Sequence, residues 1–419
     1  MVASGSLAEV DPQIAAAIDG ERRRSATRLD LSASANHTSA AQREAAGSVL
    51  GDATVEGYPG HRFLAASADV DRVERLAVER ATALFGARYA NVQPHSGTQA
   101  NQAVLVGLLE PGDTLLSMAL HAGGHFSHGA PVSVSGRWFR AVHYGVDPRT
   151  DRVDLEAVAA LAQAHRPRLI VAGASAYPRA VDTARLARIA RGVGARLMVD
   201  IAHVAGLVAT GTFPDPLPDA DVVTTTTSKN LRGPHGGLVL CNDPEIASRI
   251  DQALSPGLQG TPLVQAIAAK AVAFREAATP AFRRYAERVL GNARALARGL
   301  AERGVDVLTG GTDVPFVVAD LRRRTTDAAA VVRLLDGAGI TAHAVPAPGD
   351  RDFAHARGLR LGLSAATTRG FDESACDELA AIGATAVLRA EVGQSSSADI
   401  AAQVAALCRR FPLAPSAGA

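Results

Sequence analysis

Lys229 closes a β-branched run, Asp221-Val222-Val223-Thr224-Thr225-Thr226-Thr227-Ser228, and opens a Gly/Pro-rich turn that ends at Gly237. Of the 43 Lys+Arg residues in this chain only Lys229 and Lys270 are lysine. A chain so biased toward arginine keeps a lysine mainly where guanidinium cannot serve. Schiff-base formation is such a task, because a primary amine deprotonates and attacks a carbonyl. A strand-end lysine that merely reaches solvent is the alternative.

Asp200 ends a second apolar run, Arg196–Asp200. A carboxylate there needs a partner, since burying it unpaired costs several kcal/mol. A protonated pyridine nitrogen would satisfy it and keep such a ring an electron sink; one of the many arginines is the other choice. Pro94-His95-Ser96-Gly97-Thr98-Gln99-Ala100-Asn101 follows a strand pattern and opens a helical one. Its small residues leave backbone N–H groups free at a positive helix end, which suits a phosphate, although any N-cap resembles it. Neither lysine sits in a G-K-[ST] pattern, and no G-x-G-x-x-G opens a βαβ unit. His121-Ala122-Gly123-Gly124-His125-Phe126-Ser127-His128 raises the question of a metal, but the double glycine argues against a helix presenting two histidines on one face. A flat imidazole stacked on a cofactor ring suits that loop better, and no metal is expected.

These groups need a scaffold. At 419 residues, with 47% hydrophobic and 20% charged content, the chain predicts a globular protein of more than one core. A net charge of +1 gives no electrostatic argument for nucleic acid or a membrane. No apolar run is long enough to span a bilayer, Met1 to Arg24 shows no signal pattern, and Cys241, Cys376 and Cys408 suggest no disulfide frame. A cytoplasmic location is the expectation. Strand patterns at Tyr89–Val92, Thr114–Met118, Arg168–Ala172, Arg196–Asp200, Asp221–Thr226 and Gly237–Cys241 alternate with helical ones such as Asp71–Phe85, Asp154–Ala164 and Thr183–Arg191. The prediction is an α/β fold with a mostly parallel, doubly wound sheet, whose ligands sit at the carboxyl ends of the strands. The expected boundaries are a helical arm over 1–50, a large α/β domain over 51–280, and a smaller α+β domain over 281–419. In the last, strands are expected at Val305–Leu308, Pro315–Asp320 and Leu359–Leu363, a final helix at Ala398–Arg410, and fraying over 412–419.

The chain resembles the serine hydroxymethyltransferase family, of the fold type I enzymes that bind pyridoxal 5′-phosphate. The resemblance is carried in order by EGYPG (Glu56–Gly60), ANVQPHSGTQAN (Ala90–Asn101), GGHFSHG (Gly123–Gly129), SAYPR (Ser175–Arg179), VDIAHVAGLV (Val199–Val208), DVVTTTTSKNLRGPHGG (Asp221–Gly237) and GLRLGLSAATTRG (Gly358–Gly370). It implies that Lys229 forms the Schiff base and that Ser96, Gly97 and Thr98 hold the phosphate, helped by Gly260 and Thr261 of a second subunit. His125 would stack on the ring, Asp200 would bind its nitrogen, Ser175 and His203 would flank the phenolic oxygen, and Thr226 would also bind the cofactor. Arg360, aided by Ser34, would clamp the substrate carboxylate. Glu56 matches an acid/base carboxylate that reaches across the interface, so a homodimer is implied and a tetramer is left open.

Departures from the family pattern cluster around the substrate. Thr54 stands where tyrosine is usual, Phe63 and Leu64 replace a tyrosine pair, Ala35 replaces glutamate, Ser228 replaces histidine and His235 replaces arginine. The folate-contacting loop reads as shortened to Thr341–Pro346. These changes favour a folate-independent aldolase or transaldolase acting at Cα of a β-hydroxy amino acid in specialised metabolism, with Thr54 or His235 standing in for lost hydroxyls. An oxygen-using oxidative decarboxylase of a bulky amino acid, such as a nucleoside amino acid, ranks second. Folate-dependent serine hydroxymethyl transfer ranks below both, and a non-catalytic scaffold is disfavoured by the retained Lys229, Asp200, His125 and Arg360.

Overall fold

The computed structural model describes residues 5–65 and 67–413. The expected fraying therefore falls outside the described residues from 414 onward. Seven strands form the central sheet: β1 (Tyr89–Asn91), β2 (Thr114–Met118), β3 (Arg140–Tyr144), β4 (Leu169–Ala172), β5 (Arg196–Asp200), β6 (Val222–Thr226) and β7 (Gly237–Cys241). Their spatial order is β1-β7-β6-β5-β4-β2-β3. All run in one direction except β7, which is antiparallel to both neighbours.

Both faces of the sheet are covered, so its strands read as unbroken apolar runs rather than alternating ones. Along β5, Leu197 and Val199 enter one core and Met198 the opposite one. In β4, Ile170 and Ala172 part from Leu169 and Val171 in the same way. The covering helices begin at side chains that accept from their first free N–H groups: Ser96 before Gly97–Leu108, Asp154 before Leu155–His165, Asp182 before Thr183–Val193. Edge strand β3 was not legible in the sequence because its side chains are mostly part-exposed and carry no clean period.

A second core belongs to the carboxy-terminal region, where β8 (Phe316–Asp320), β9 (His343–Val345) and β10 (Gly358–Gly362) form an antiparallel sheet ordered β8-β10-β9. The segment read as a shortened loop, Thr341–Pro346, is thus largely strand, because His343 to Val345 pairs with Arg360 to Gly358. The strand expected at Val305–Leu308 is absent among the described residues. Val307 makes a single bridge to Ala319, and then Thr309 (φ 60°) and Gly310 (φ 69°) turn the chain left-handed. Helix Pro280–Glu302 joins the two regions: Phe282, Tyr285 and Val289 lie in the first core, Ala293, Leu296 and Leu300 in the second. Leu29 and Leu31 of the amino-terminal segment also enter the second core, where Leu29–Asp30 pairs with Ile340–Thr341.

Behind Glu56 the hairpin Gly57–Tyr58/His61–Arg62 rests on a buried charge network. Arg62 and Glu74 each keep 3% of their side-chain exposure and meet at 2.6 Å. Arg62 also bonds Asp71 at 2.9 Å, and Gln93 bridges Glu74 to the Gly57 carbonyl at 2.7 and 3.0 Å. Removing Glu74 strips the buried Arg62 of one of its two carboxylates and Gln93 of an acceptor, which is costly in a desolvated network. Glu74→Ala should therefore lose roughly 3 kcal/mol or more in denaturant unfolding, whereas a value within about 0.5 kcal/mol of wild type, the scale of surface substitutions, would contradict this packing.

Candidate active site

Lys229 follows β6 in a short 3-10 turn, Lys229–Leu231, and its φ of 54° is left-handed. A non-glycine residue held there costs about 1 kcal/mol or more, so neighbours must fix it. Asn36 does this by donating to the Lys229 carbonyl at 2.7 Å. The same Asn36 amide donates to Tyr285 Oη at 2.8 Å and accepts from Thr368 Oγ1 at 2.7 Å, so three segments converge behind the lysine. Lys229 Nζ lies 3.2 Å from His203 Nε2. Burial lowers the amine to about 8, with Asp200 opposing and Arg360 reinforcing the shift. Burial likewise pushes His203 well below its ordinary value, and Lys229 and Arg360 add to that, so its neutral Nε2 is the acceptor.

Asp200 ends β5 on the other side of the same cavity. The alternative, an arginine partner, is not found among the described residues. Its Oδ2 accepts instead from His128 Nε2 at 3.0 Å and Asn101 Nδ2 at 2.8 Å, and its Oδ1 from the Ala202 N–H at 2.9 Å. Burial opposes the charge, yet the bonds from His128 and Asn101 prevail and hold the carboxyl well below the usual carboxylate range. Thr224 donates to Asn101 Oδ1 at 2.6 Å and so orients that amide. Asn101 also donates to Ser127 Oγ at 2.9 Å, and Ser127 Oγ lies 2.7 Å from His125 Nδ1. The hydroxyl therefore donates to Nδ1, which puts the His125 proton on Nε2. Burial, with His128 beside it, lowers His125 to about 4, so it stays neutral.

At the far end the helix Gly97–Leu108 points its amino terminus into the cavity. Ser96 caps it by accepting from Gln99 N at 3.1 Å, while the Gly97 and Thr98 N–H groups have no acceptor in the described chain. Gly97 is required: a Cβ there would lie 2.6 Å from Thr226 Cγ2. Ser96, Gly97, Thr98, His125, Ser175, Asp200, His203, Thr226 and Lys229 all line this cavity of about 170 Å³. Asn101 and His128 line it too and were missed as site residues. The signal for Asn101 was its place one helical turn beyond Gly97; His128 has no equivalent cue besides lying in the GGHFSHG motif.

Arg360, on β10, reaches the cavity edge from the second region. The residue is 6% exposed. It donates to the Ser175 carbonyl at 2.6 Å and Ser175 Oγ at 3.1 Å, and to His343 Nδ1 at 2.9 Å. Its Nε has no partner, and it makes no ion pair among the described residues. Burial draws it down to about 10. A buried guanidinium without a carboxylate is costly unless one arrives with a ligand. Ser34 is exposed and bonds Ser32 Oγ at 2.8 Å; the segment before it packs on β10, where Gly362 N donates to Leu31 O.

Other expected site residues do not reach this cavity within one chain. Glu56 and Gly260 are neighbours, since a Cβ on Gly260 would lie 3.2 Å from Glu56 Oε1, and neither they nor Thr261 line it. Thr54 and His235 are exposed and also lie outside its lining.

Residues 7–382 match the family model described as serine hydroxymethyltransferase. The chain belongs to the serine hydroxymethyltransferase family. A protein of that name from Rhodospirillum centenum is 50% identical over 418 residues, covering 98% of this chain and 97% of the relative. Serine hydroxymethyltransferase from Prochlorococcus marinus is 49% identical over 411 residues, 98% and 97% of the two chains. Serine hydroxymethyltransferase 2 from Rhodospirillum rubrum is 48% identical over 415 residues, 98% and 96% of the two chains. Family enzymes use pyridoxal 5′-phosphate. The cavity fits it: free N–H groups at a helix start, an ionised carboxylate opposite, a flat neutral imidazole and a depressed amine match its phosphate, ring nitrogen, ring face and aldehyde.

The lowered amine sets a pH prediction. A lysine loses its proton as pH rises through its pKa, and only the neutral amine attacks an aldehyde. Cofactor-free protein mixed with pyridoxal phosphate should form its visible absorbance band faster as pH rises, with a midpoint near 8. A midpoint at the ordinary lysine value near 10.4 would contradict the burial described here.

Proposed function

We propose that this protein breaks the Cα–Cβ bond of a β-hydroxy amino acid, with Lys229 as the lysine that holds pyridoxal phosphate. The observation that carries the reading is the Arg360 guanidinium, which has no carboxylate partner among the described residues and bonds Ser175, itself part of the lining of the cavity that contains Lys229 and Asp200. An α-amino acid offers the missing carboxylate, and binding it there directs Cα inward. When bound, the cofactor withdraws electrons from the bonds at Cα. Asp200, kept ionised by His128 and Asn101, would hold the ring nitrogen protonated. Ser96, Gly97 and Thr98 would carry the phosphate, Ser175 and His203 would flank the phenolic oxygen, and His125 would cover the ring face.

The relatives' shared name favours serine as the donor and a folate acceptor over the folate-independent aldolase expected from the sequence alone. One specific observation keeps the folate-independent reading in play: Thr54, Phe63, Leu64, Ala35, Ser228 and His235 all replace residues of the family pattern while the cofactor set is intact. The two readings share the bond cleavage and differ in what captures the aldehyde. Purified protein given L-serine with tetrahydrofolate should yield glycine and the methylene-folate if the relatives' chemistry holds. Glycine and acetaldehyde from L-threonine, with no folate dependence, would instead support the aldolase. Oxygen uptake with bulky amino acids but no aldehyde release would overturn both.

We further infer that two copies complete each other's site. Glu56, Gly260 and Thr261 cluster together away from Lys229, and the segments bearing them expose Phe63 (66%), Leu64 (45%) and Leu263 (46%). Apolar side chains on functional loops suit burial against a second copy, in which Glu56 would act as the acid or base. Lys229→Ala and Glu56→Gln should each lose more than about 100-fold in activity. Refolded together they should regain a substantial fraction through hybrid dimers with one intact site. No recovery from a mixture shown to contain hybrids would refute the shared arrangement.

A further inference from the structure

Lys270, the other lysine of the chain, is 1% exposed within helix Val264–Ala277. It makes no ion pair with any described carboxylate. Its ammonium donates to three main-chain carbonyls, those of Val92 at 2.6 Å, Pro94 at 2.9 Å and Gly237 at 3.0 Å. Three acceptors match the three N–H bonds of an ammonium, whereas a neutral amine would turn its lone pair toward one of them. Burial lowers this group to about 7, and the negative charge of Glu74 works against that shift. The stem passes so close to Gly236 that a Cβ there would lie 2.2 Å from Lys270 Cε, so glycine at 236 leaves the space the lysine occupies.

The three carbonyls belong to two functional segments. Val92 and Pro94 lie in the link from β1 to the Ser96-Gly97-Thr98 helix start. Gly237 opens β7, just after Gly236, whose carbonyl accepts from Thr227 N at 3.0 Å, two residues before Lys229. The chain therefore ties its phosphate-binding end to its lysine turn through one buried charge. We propose that Lys270 is a positioning residue, a built-in cation that holds the Ser96–Thr98 cradle at a fixed place relative to Lys229. This rests on the reading of that cradle as the cofactor's phosphate site.

Pyridoxal, which has the same ring and aldehyde but no phosphate, separates a displaced cradle from general damage. Dissociation constants for pyridoxal phosphate and pyridoxal would be measured by absorbance titration in wild type, Lys270→Ala, Lys270→Met and Lys270→Gln. The phosphate form should weaken by about tenfold or more, the loss of charged hydrogen bonds, while pyridoxal changes less than about twofold, the ordinary context-dependent scatter. Methylammonium should restore part of the loss in Lys270→Ala, which leaves it space, and none in Lys270→Met, which does not. Where Lys270→Ala does not fold, Lys270→Gln, which keeps two donors, reads the same ratio. Equal weakening of both ligands, or of neither, overturns the proposal. A wild-type protein that takes up no pyridoxal phosphate refutes the cradle reading itself.

Discussion

Asp200 keeps its charge at the end of an otherwise apolar strand because His128, Asn101 and the Ala202 amide all donate to it. An ionised carboxylate in that position would otherwise shed its charge by taking up a proton. Everything else in the cavity is arranged around that fixed negative end. Lys229 and Arg360 are cationic groups pressed toward neutrality by burial, and the histidines beside them are neutral. The result is a chamber with one permanent anion, one amine that readily gives up its proton, and one guanidinium short of a carboxylate. Those are the requirements for gripping an amino acid at both of its charged groups.

The chamber is held by parts remote in sequence. Strands β1, β2, β4, β5 and β6 deliver Ser96, His125, Ser175, Asp200 and Lys229 from their carboxyl ends, as open parallel sheets do. Arg360 arrives from the second sheet, and helix Pro280–Glu302 locks that sheet to the first by entering both cores. Asn36 adds a further brace, meeting the strained Lys229 backbone, Tyr285 and Thr368 at once. A site distributed in this way depends on the two regions staying in register, so the polar braces matter as much as the residues that face the cavity.

Membership of the serine hydroxymethyltransferase family, with relatives near half identical over almost the whole chain, constrains the cofactor far more tightly than the second substrate. The cavity lined by Ser96, Gly97, Thr98, Asp200 and Lys229 suits that cofactor. The altered positions, Thr54, Phe63, Leu64 and His235, are exposed within a single chain.

The sequence made most of the scaffold legible. Short runs that are apolar throughout, such as Leu197 to Val199, bounded by turn signals, read as strands covered on both faces, and Ser96, Asp154 and Asp182 mark helix starts by chemistry that acts over a few residues. Lys229 and Asp200 were readable for the same reason, being polar groups at the ends of such runs. Edge strand β3 and the turn at Thr309 were not, because partial exposure and a left-handed backbone leave no periodic trace. Only the tertiary structure could decide that Asp200 is answered by His128 and Asn101 rather than by an arginine, and that Lys270 closes three carbonyls into a cage. Local pattern fixes where a side chain starts; which distant donor or acceptor satisfies it depends on how the strands are ordered in space.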